Sequence, residues 1–153
     1  MNATRVLSHT ESHLAAHLIM DEIDGERVYL VFEYDSGKGV QVKFPAGTNN
    51  DHPGEEILLT LDRETHEETG LTSRNPRLVH KDERSKGHTK FFFISHIRDC
   101  DGDLRTEERV DDDGDRQSPP FWWTAKELMV DPKDGGLFYT HRKALEEAEK
   151  VSV

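Results

Sequence analysis

The sequence predicts a mixed α/β (α+β) fold with a central helix among short strands. Apolar runs of strand length flank the turn signal Asp24-Gly25. Apolar residues at helical spacing run through 57–65, and a second helical pattern covers 140–150. A chain of 153 residues fits one domain, taken here as 1–153. Together these features indicate a mixed sheet with helices packed against it.

The strands are expected in two groups that lie before and after the central helix. The first twelve residues are polar and are expected to be a loose lead-in. The apolar run at 91–93 is too continuous for an exposed edge and is expected in the core. The expected strands are His13–Glu22, Arg27–Tyr34, Val40–Phe44, Pro76–Lys81, Lys90–Ile97 and a short one at 121–123.

The C-terminal third contains an acidic segment and two further helices. Residues 98–120 combine many acids with little to bury, so a long mobile loop is expected there. A short helix is expected at Thr124–Met129, and a terminal helix at Thr140–Lys150 with Thr140 as its N-cap. Trp122 and Trp123 are expected to serve the core and an interface.

The central helix carries three carboxylates on one face. Glu64, Glu67 and Glu68 are spaced i, i+3 and i+4, which stacks them along one side of a helix. Like charges so close repel each other. A divalent cation such as Mg²⁺ or Mn²⁺ reverses the sign of that cost, because these ions prefer hard oxygen ligands. The spacing therefore indicates a metal-dependent enzyme that acts on an anionic substrate.

The ends of this helix also have recognisable signals. Pro53 suits a first helical position, and Glu55 and Glu56 put negative charge near the helix N-terminus. Gly70 is a natural C-cap. The helix is therefore expected from about residue 53 to residue 69.

The pattern Arg63-Glu64-x-x-Glu67-Glu68-x-Gly70, with Glu55 eight residues before Arg63, resembles the Nudix box of the Nudix hydrolases. Phe44-Pro45-Ala46-Gly47 is similar to the family's Pro-Gly-Gly entry to that box. The chain departs from the family in two places. Seven residues separate Gly47 from Glu55, two more than is usual, which indicates an insertion within 48–54. Thr65 replaces the commoner aliphatic residue.

The resemblance implies a sheet sandwiched between helices, with a loop–helix–loop metal site at 47–71. It implies a hydrolase that cleaves a diphosphate linkage in a nucleotide-like small molecule with Mg²⁺ (or Mn²⁺). The guanidinium of Arg63 cannot bind a cation and is expected to pair with a box carboxylate and orient it. The implied metal ligands are Glu64, Glu67 and Glu68, with the carbonyl of Gly47 and the carboxylate of Glu55 as additional ligands.

Other roles are spread over several candidates. Family members take the general base from the box or from a downstream loop. Here Glu107 and Glu108 rank just ahead of Asp111, Asp112, Asp113 and Asp115. The phosphates are expected to meet cations, and a nucleobase is expected to stack on an aromatic ring. The candidates for these contacts are Lys43, Arg84, Lys86 and Lys90, with Tyr34 or Phe32 as the ring.

Composition restricts the partners. The net charge of −11 opposes binding to a nucleic-acid duplex or an anionic membrane. Cys100 is the only cysteine, which excludes an intrachain disulfide and a thiolate zinc site. No apolar run approaches the roughly 20 residues of a membrane span. A cytoplasmic protein is expected, and Trp122-Trp123 would suit a homodimer contact.

Two other functions compete with a hydrolase. A non-catalytic Nudix-like domain could sense a nucleotide, although the complete carboxylate set argues for an enzyme. An acidic calcium module could use Asp99-x-Asp101-Gly-Asp103 or Asp111-x-Asp113-Gly-Asp115. Neither run has the glycine placement and the terminal glutamate of an EF-hand loop. His66 has no second histidine at zinc-protease spacing and is expected on the surface.

Overall fold

The computed structural model describes residues 8–153, so most of the expected lead-in lies outside the described residues. Eleven strands and three α-helices form the described part of the fold. The strands are β1 (His13–Ile23), β2 (Glu26–Asp35), β3 (Val40–Lys43), β4 (Ala46–Thr48), β5 (Leu71–Ser73), β6 (Arg77–Asp82), β7 (Thr89–His96), β8 (Cys100–Gly102), β9 (Arg109–Val110), β10 (Arg116–Gln117) and β11 (Phe121–Thr124). The helices are α1 (Ile57–Thr69), α2 (Ala125–Leu128) and α3 (Arg142–Ala148).

The main sheet is mixed, as expected. Its strand order is β6-β7-β1-β2-β10-β9, with β3 and β11 also paired to β2 and β4 paired to β1. β1 runs parallel to β7 and antiparallel to β2. The β1–β2 turn is the predicted hairpin, in which Asp24 and Gly25 have positive φ angles of 52° and 80°. Only β5 and β8 lie in a separate sheet within residues 8–153.

The sheet is buried on both faces because α1 covers one face and α3 the other. Ala15, Phe91 and Phe93 pack with Ile57 and Leu61 of α1. The alternate positions pack with α3: Ala16, Leu18, Met20, Phe92 and Ile94 share a cluster with Ala144 and Leu145. A strand sends successive side chains to opposite faces, so β1 and β7 serve both layers. This arrangement is the expected sheet between helices.

The central helix begins later than the sequence pattern indicates. The prediction that Pro53 takes the first helical position is wrong, since α1 starts at Ile57. Residues 49–55 instead form turns, with hydrogen bonds from His52 N to Asn49 O at 3.0 Å and from Glu55 N to His52 O at 2.9 Å. Gly54 has a φ of 84°, which interrupts a helix. Glu55 and Glu56 therefore precede the helix.

A chain segment outside the box completes the helix N-terminus. The backbone N–H of Ile57 donates to the carbonyl of His9 at 2.9 Å. Asn49 is buried, and its Oδ1 accepts a hydrogen bond from His13 N at 3.0 Å. Its Nδ2 donates to the carbonyl of Glu11 at 3.1 Å. The residues just before β1 thus fix the inserted loop to the box helix.

The C-terminal helices follow the prediction in part. Thr124 caps α2 with the capping box that its spacing to Glu127 allows. The expectation that Thr140 caps the last helix is wrong, because Tyr139–His141 forms a 3₁₀ turn and α3 starts at Arg142 without a side-chain cap. Gly70 ends α1 as predicted, with a φ of 84° and its N–H donated to His66 O at 2.8 Å.

The acidic segment is more ordered in structure than a plain loop. Residues 98–120 contain the short strands β8, β9 and β10, which the sequence pattern does not indicate, and the mobility of the segment stays a prediction. Arg105 fastens the segment to the box helix: its Nε donates to the carbonyl of Glu68 at 2.9 Å. Its second guanidinium nitrogen donates to the carbonyl of Ser118 at 2.9 Å. These pairings join distant parts of the sequence and leave no periodic signal.

Trp122 and Trp123 pack against the core, as expected, and their role in an interface stays a prediction. Both side chains are half-buried. Trp122 packs against the cluster of Ile19, Leu30 and Leu71, while Trp123 packs against the α3-side core. Their rings lie on opposite faces of β11, because strand residues alternate. No helix in residues 8–153 is long and apolar enough to cross a membrane.

Candidate active site

The box helix faces a cavity of about 390 Å³. Residues of β2 and β3 line it, and so do residues between 109 and 117 of the acidic segment. Both charge signs line this space, together with aromatic rings. The side chains that line it include Phe32, Tyr34, Lys43, Phe44, Asp51, His52, Arg63, Glu64, Glu67, Glu68, Arg109, Asp111, Asp112, Asp113, Gln117 and His141.

Arg63 forms the ion pairs expected of it. Its Nε and one terminal nitrogen donate to the two oxygens of Glu55 at 3.0 and 2.8 Å. The other terminal nitrogen donates to Glu64 Oε1 at 2.7 Å. Arg63 also donates to the carbonyl of Thr48 at 3.0 Å, which ties the box helix to β4. These hydrogen bonds lower the pKa of Glu55 to about 2.

Glu55 is engaged by protein groups on both oxygens. Besides Arg63, the hydroxyl of Thr60 donates to Glu55 Oε1 at 2.6 Å. His13 Nε2 lies 2.7 Å from the same hydroxyl, in a buried contact. Glu55 is not one of the described residues that line the cavity. This geometry fits a residue that orients Arg63; direct metal binding by Glu55 stays a prediction.

Glu68 is the buried member of the three carboxylates. It is 5% exposed, and its oxygens accept hydrogen bonds from Ala46 N at 2.7 Å and from Gln117 Nε2 at 3.3 Å. Burial, and then the charge of Glu64, raise the pKa of Glu68 well above its usual value. Burial also raises the pKa of Glu64. Two desolvated carboxylates side by side carry an electrostatic cost that a bound cation would offset.

Glu67 is the most exposed of the three and faces two arginines. Its oxygens lie 3.9 Å from Arg63 and 3.8 Å from Arg109. Arg109 also donates to Gln117 Oε1 at 2.9 Å. Sequence reasoning missed both Arg109 and Gln117, because only the pairing of β9 with β10 and of β10 with β2 brings them to the box. No local pattern marks them.

Gly47 lies directly against Glu64. A Cβ atom at this position would sit 2.0 Å from Glu64 Cδ, far inside contact distance. Gly47 pairs with Ala15 in the β1–β4 ladder, so its backbone is held in place. The missing side chain therefore makes room for the Glu64 carboxylate. The role of its carbonyl as a metal ligand stays a prediction.

The donor types at the box fit Mg²⁺ or Mn²⁺, since three carboxylates share one cavity. Their oxygens are turned towards Arg63, Ala46 and Gln117. Among the His, Cys, Asp and Glu residues within 8–153, only one group of three has possible ligand atoms that all lie within 4.8 Å of one another. It is formed by Asp111, Asp113 and Asp115. Metal binding at the box would thus require the carboxylates of Glu64, Glu67 and Glu68 to come closer together.

Lys43 and Tyr34, which are expected to contact the substrate, line the cavity. Lys43 Nζ lies 4.3 Å from the centre of the Tyr34 ring and 4.7 Å from that of Phe138. Burial lowers the pKa of Lys43. The hydroxyl of Tyr34 donates to Asp115, and burial together with this acceptor raises the pKa of Tyr34. Phe32, named as an alternative ring, also lines the cavity but is 1% exposed.

The remaining candidates lie elsewhere. Arg84 pairs with Asp82 at 2.7 Å on the β6–β7 turn, and Lys86 is exposed on the same turn. Glu108 pairs with Arg116 at 2.8 Å. Neither Glu107 nor Glu108 is among the described residues that line the cavity, whereas Asp111, Asp112 and Asp113 are. The structure therefore favours the latter acids over the two glutamates ranked first.

Two buried histidines contribute to this region without any sequence signal. His17 bridges Thr65 Oγ1 at 2.9 Å and Ser95 Oγ at 2.7 Å, which explains why a hydroxyl replaces the usual aliphatic residue at 65. His141 stacks on Phe44, with ring centres 5.7 Å apart and an angle of 10°. Burial lowers the pKa of both histidines to about 3.

Comparisons with known proteins agree with this architecture. The NUDIX domain family model matches residues 11–147. A Nudix hydrolase from Nitrosomonas europaea has a similar structure, with a TM-score of 0.65 and 21% identity, covering 91% of this chain and 88% of that one. A MutT structure from work on Aliivibrio salmonicida and Vibrio cholerae is also similar, with a TM-score of 0.62 and 17% identity. The match covers 88% of this chain and 94% of that one.

A third similar structure is the NUDIX domain of Shewanella oneidensis NrtR in complex with ADP ribose. Its TM-score is 0.62 at 12% identity, and the match covers 98% of this chain and 92% of that one. No curated protein sequence matches the chain. At these identities the structures show a shared fold. The family match over most of the chain shows that this protein belongs to the Nudix hydrolase family.

Proposed function

We propose that this protein is a Mg²⁺- or Mn²⁺-dependent pyrophosphohydrolase that cleaves the P–O–P linkage of a nucleotide derivative. The observation that carries the proposal is the convergence of Glu64, Glu67 and Glu68 in one cavity with Lys43 and Arg109. Carboxylates can hold the cation, and the two basic side chains can bind phosphate oxygens. A cavity of about 390 Å³ is in the range of small-ligand sites.

Each side chain has a distinct role in this proposal. Glu64, Glu67 and Glu68 would hold the cation, which when bound neutralises phosphate charge and lowers the pKa of a water ligand. Arg63 orients Glu64 through its hydrogen bond of 2.7 Å, and is itself fixed by Glu55. Ala46 N and Gln117 hold Glu68 in place. Arg109 stands beside Glu67, where it can contact a substrate phosphate.

The reaction joins a water oxygen to one phosphorus and breaks that phosphorus–bridging-oxygen bond. The water proton passes to a carboxylate, and the departing phosphate takes the bridging oxygen. Asp111, Asp112 and Asp113 line the cavity and are available as the base, as is a box glutamate. A diphosphate derivative would yield two phosphorylated products, and a triphosphate would yield a monophosphate and pyrophosphate.

The alternative is a non-catalytic nucleotide-binding domain. Such a domain would need the cavity and its basic side chains. It would not need three carboxylates, two of which are largely desolvated. A function in binding alone gives no physical reason to keep that electrostatic cost. The NrtR domain described above binds ADP ribose, so a ligand of this chemical class belongs in the test.

The test uses chromatography to measure the monophosphates, sugar phosphates and pyrophosphate formed from nucleoside triphosphates, sugar nucleotides, dinucleoside polyphosphates and ADP-ribose, with Mg²⁺ and with EDTA. The wild type is compared with Glu67→Gln and with Glu146→Gln, a matched change on α3. We expect metal-dependent turnover that falls at least ~100-fold in Glu67→Gln, the scale of a lost charge-stabilising group, and persists in Glu146→Gln. Nucleotide binding without turnover would favour the alternative.

A further inference from the structure

A second groove lies near the catalytic cavity, and strand β3 contributes a residue to each space. Gln41 and Lys43 are two residues apart in β3, so their side chains point to the same face. Lys43 lines the cavity, while Gln41 lines a neighbouring groove of about 330 Å³. Two strand residues span about 7 Å, so Gln41 and Lys43 leave the strand about 7 Å apart.

Phe138 lines the groove and lies close to Lys43, which lines the cavity. Its ring lies 4.7 Å from Lys43 Nζ, and the same ring lines the groove. Its backbone N–H donates to the carbonyl of Val42 at 2.7 Å, which fixes the segment 137–139 beside β3. The groove wall is therefore anchored to the strand that carries Lys43.

The groove offers an accessible aromatic ring, which the cavity does not readily provide. Tyr139 lines the groove and is 69% exposed. In the cavity, Phe32 and Phe44 are at most 1% exposed, and Lys43 covers one face of the Tyr34 ring. A planar base would thus find a stacking surface outside the cavity, while the cavity itself is lined by charged and polar groups that suit a polyphosphate.

The charges of the groove also suit an anionic ligand. Lys38 and Lys133 line its two sides, in a protein with a net charge of −11. With Lys43 they place three ammonium groups along the path from the cavity into the groove. Such a local positive region attracts phosphate oxygens against the overall repulsion of the acidic surface.

We propose that this groove binds the nucleobase end of the substrate, with Tyr139 as the stacking residue and the phosphate chain passing Lys43 into the catalytic cavity. The inference rests on the proposed function, because it assigns the substrate to nucleotides whose base lies outside the cavity. Tyr139 would set affinity for the base and would take no part in bond cleavage.

The test measures equilibrium binding by calorimetry on the full chain. AMP, GMP, CMP and UMP are compared with ribose 5-phosphate, which has the same sugar phosphate and no base. None of these probes has a phosphoric anhydride, so the proposed hydrolysis cannot consume them. We expect at least one nucleotide to bind about tenfold more tightly than ribose 5-phosphate, on the scale of base–aromatic stacking.

Three variants identify the stacking ring. Tyr139→Ala should remove the advantage of the nucleotide over ribose 5-phosphate, while Tyr139→Trp should keep it. Ile23→Ala is the matched control, since Ile23 is an exposed apolar residue on the β1–β2 hairpin, 45% exposed. Unchanged nucleotide binding in Tyr139→Ala, or no preference for any base in the wild type, would overturn the proposal.

The outcomes separate this proposal from the catalytic one. Turnover of nucleotide derivatives that Tyr139→Ala leaves unchanged in both KM and kcat would refute the groove and retain the hydrolase. Base-dependent binding of AMP through Tyr139, in a protein without turnover, would retain the groove and refute the hydrolase. If both the hydrolase and the groove proposals hold, Tyr139→Ala should raise KM about tenfold at unchanged kcat.

Discussion

Arg63 and Glu55 form a two-pronged ion pair, with nitrogen–oxygen distances of 3.0 and 2.8 Å. The same guanidinium donates to Glu64 at 2.7 Å. Glu55 is in turn held by Thr60, whose hydroxyl contacts the buried His13. The orientation of a proposed metal ligand is thus set through a chain of hydrogen bonds that begins on β1.

Arg63→Lys should therefore damage catalysis more than stability. Lysine keeps the charge but cannot contact Glu55 and Glu64 with a planar fork. We expect kcat to fall by about 10–100-fold, as for a misplaced catalytic group, with KM changed little. Steady-state kinetics and thermal unfolding check this. Activity within twofold of wild type would show that the fork is not needed.

Gly47→Ala should displace Glu64, because the new Cβ would lie 2.0 Å from Glu64 Cδ. We expect kcat to fall about 100-fold, the scale of a misplacement near 1 Å. A double-mutant cycle that combines Gly47→Ala with Glu64→Ala provides the control. If the clash involves only this carboxylate, the double variant should unfold at the same temperature as Glu64→Ala alone. A lower melting temperature would locate the clash elsewhere.

Arg109→Ala should weaken binding of an anionic substrate. Arg109 lines the cavity beside Glu67, whereas Arg116 pairs with Glu108 outside it. We expect the KM for ADP-ribose or another active nucleotide to rise about tenfold, the scale of a lost charge-assisted hydrogen bond. Arg116→Ala, from the same segment, should stay within twofold. Equal effects of the two changes would indicate only a loss of overall positive charge.

Acid should destabilise the fold through His17. Burial lowers its pKa in the folded protein to about 3, below the usual 6.5. The unfolded chain therefore takes up a proton first as the pH falls, so this contribution to stability is complete above about pH 6.5 and is lost towards pH 3. The slope is about 1.4 kcal/mol per pH unit. Urea unfolding between pH 7 and pH 4 measures it.

The matched variant for this pH effect is His17→Gln, which keeps a polar group but cannot titrate. Its free energy of unfolding should depend less steeply on pH by about 1.4 kcal/mol per unit. His141, with a pKa also lowered to about 3, keeps its own contribution in both proteins. An identical slope in the two proteins would show that burial does not lower the pKa of His17.

The Mg²⁺ concentration needed for activity should depend on the box glutamates and not on the group of Asp111, Asp113 and Asp115. Glu64→Gln should raise the Mg²⁺ concentration needed for half-maximal activity by at least ~10-fold, since a charged ligand is lost. Asp113→Asn, in the Asp111–Asp113–Asp115 group, should leave this concentration within about threefold. The reverse order, with Ca²⁺ retained after Glu64→Gln, would support the calcium module.

The sequence by itself determined the features that depend on local spacing. The hairpin at Asp24-Gly25, the helix around the box and its Gly70 cap follow from neighbouring residues. The three glutamates also share a cavity because i, i+3 and i+4 positions share a helix face. Where an unusual loop altered the local pattern, as at Pro53, the predicted boundary was wrong.

Only the tertiary structure decided which distant side chains join them. Arg109 and Gln117 reach the box through short strand pairs, and His141 reaches the cavity through the turn before α3. The same pairing puts Asp111–Asp113 at the cavity and leaves Glu107 and Glu108 outside. Non-local strand pairing carries no periodic signature in the chain, since it depends on contacts between segments far apart in sequence.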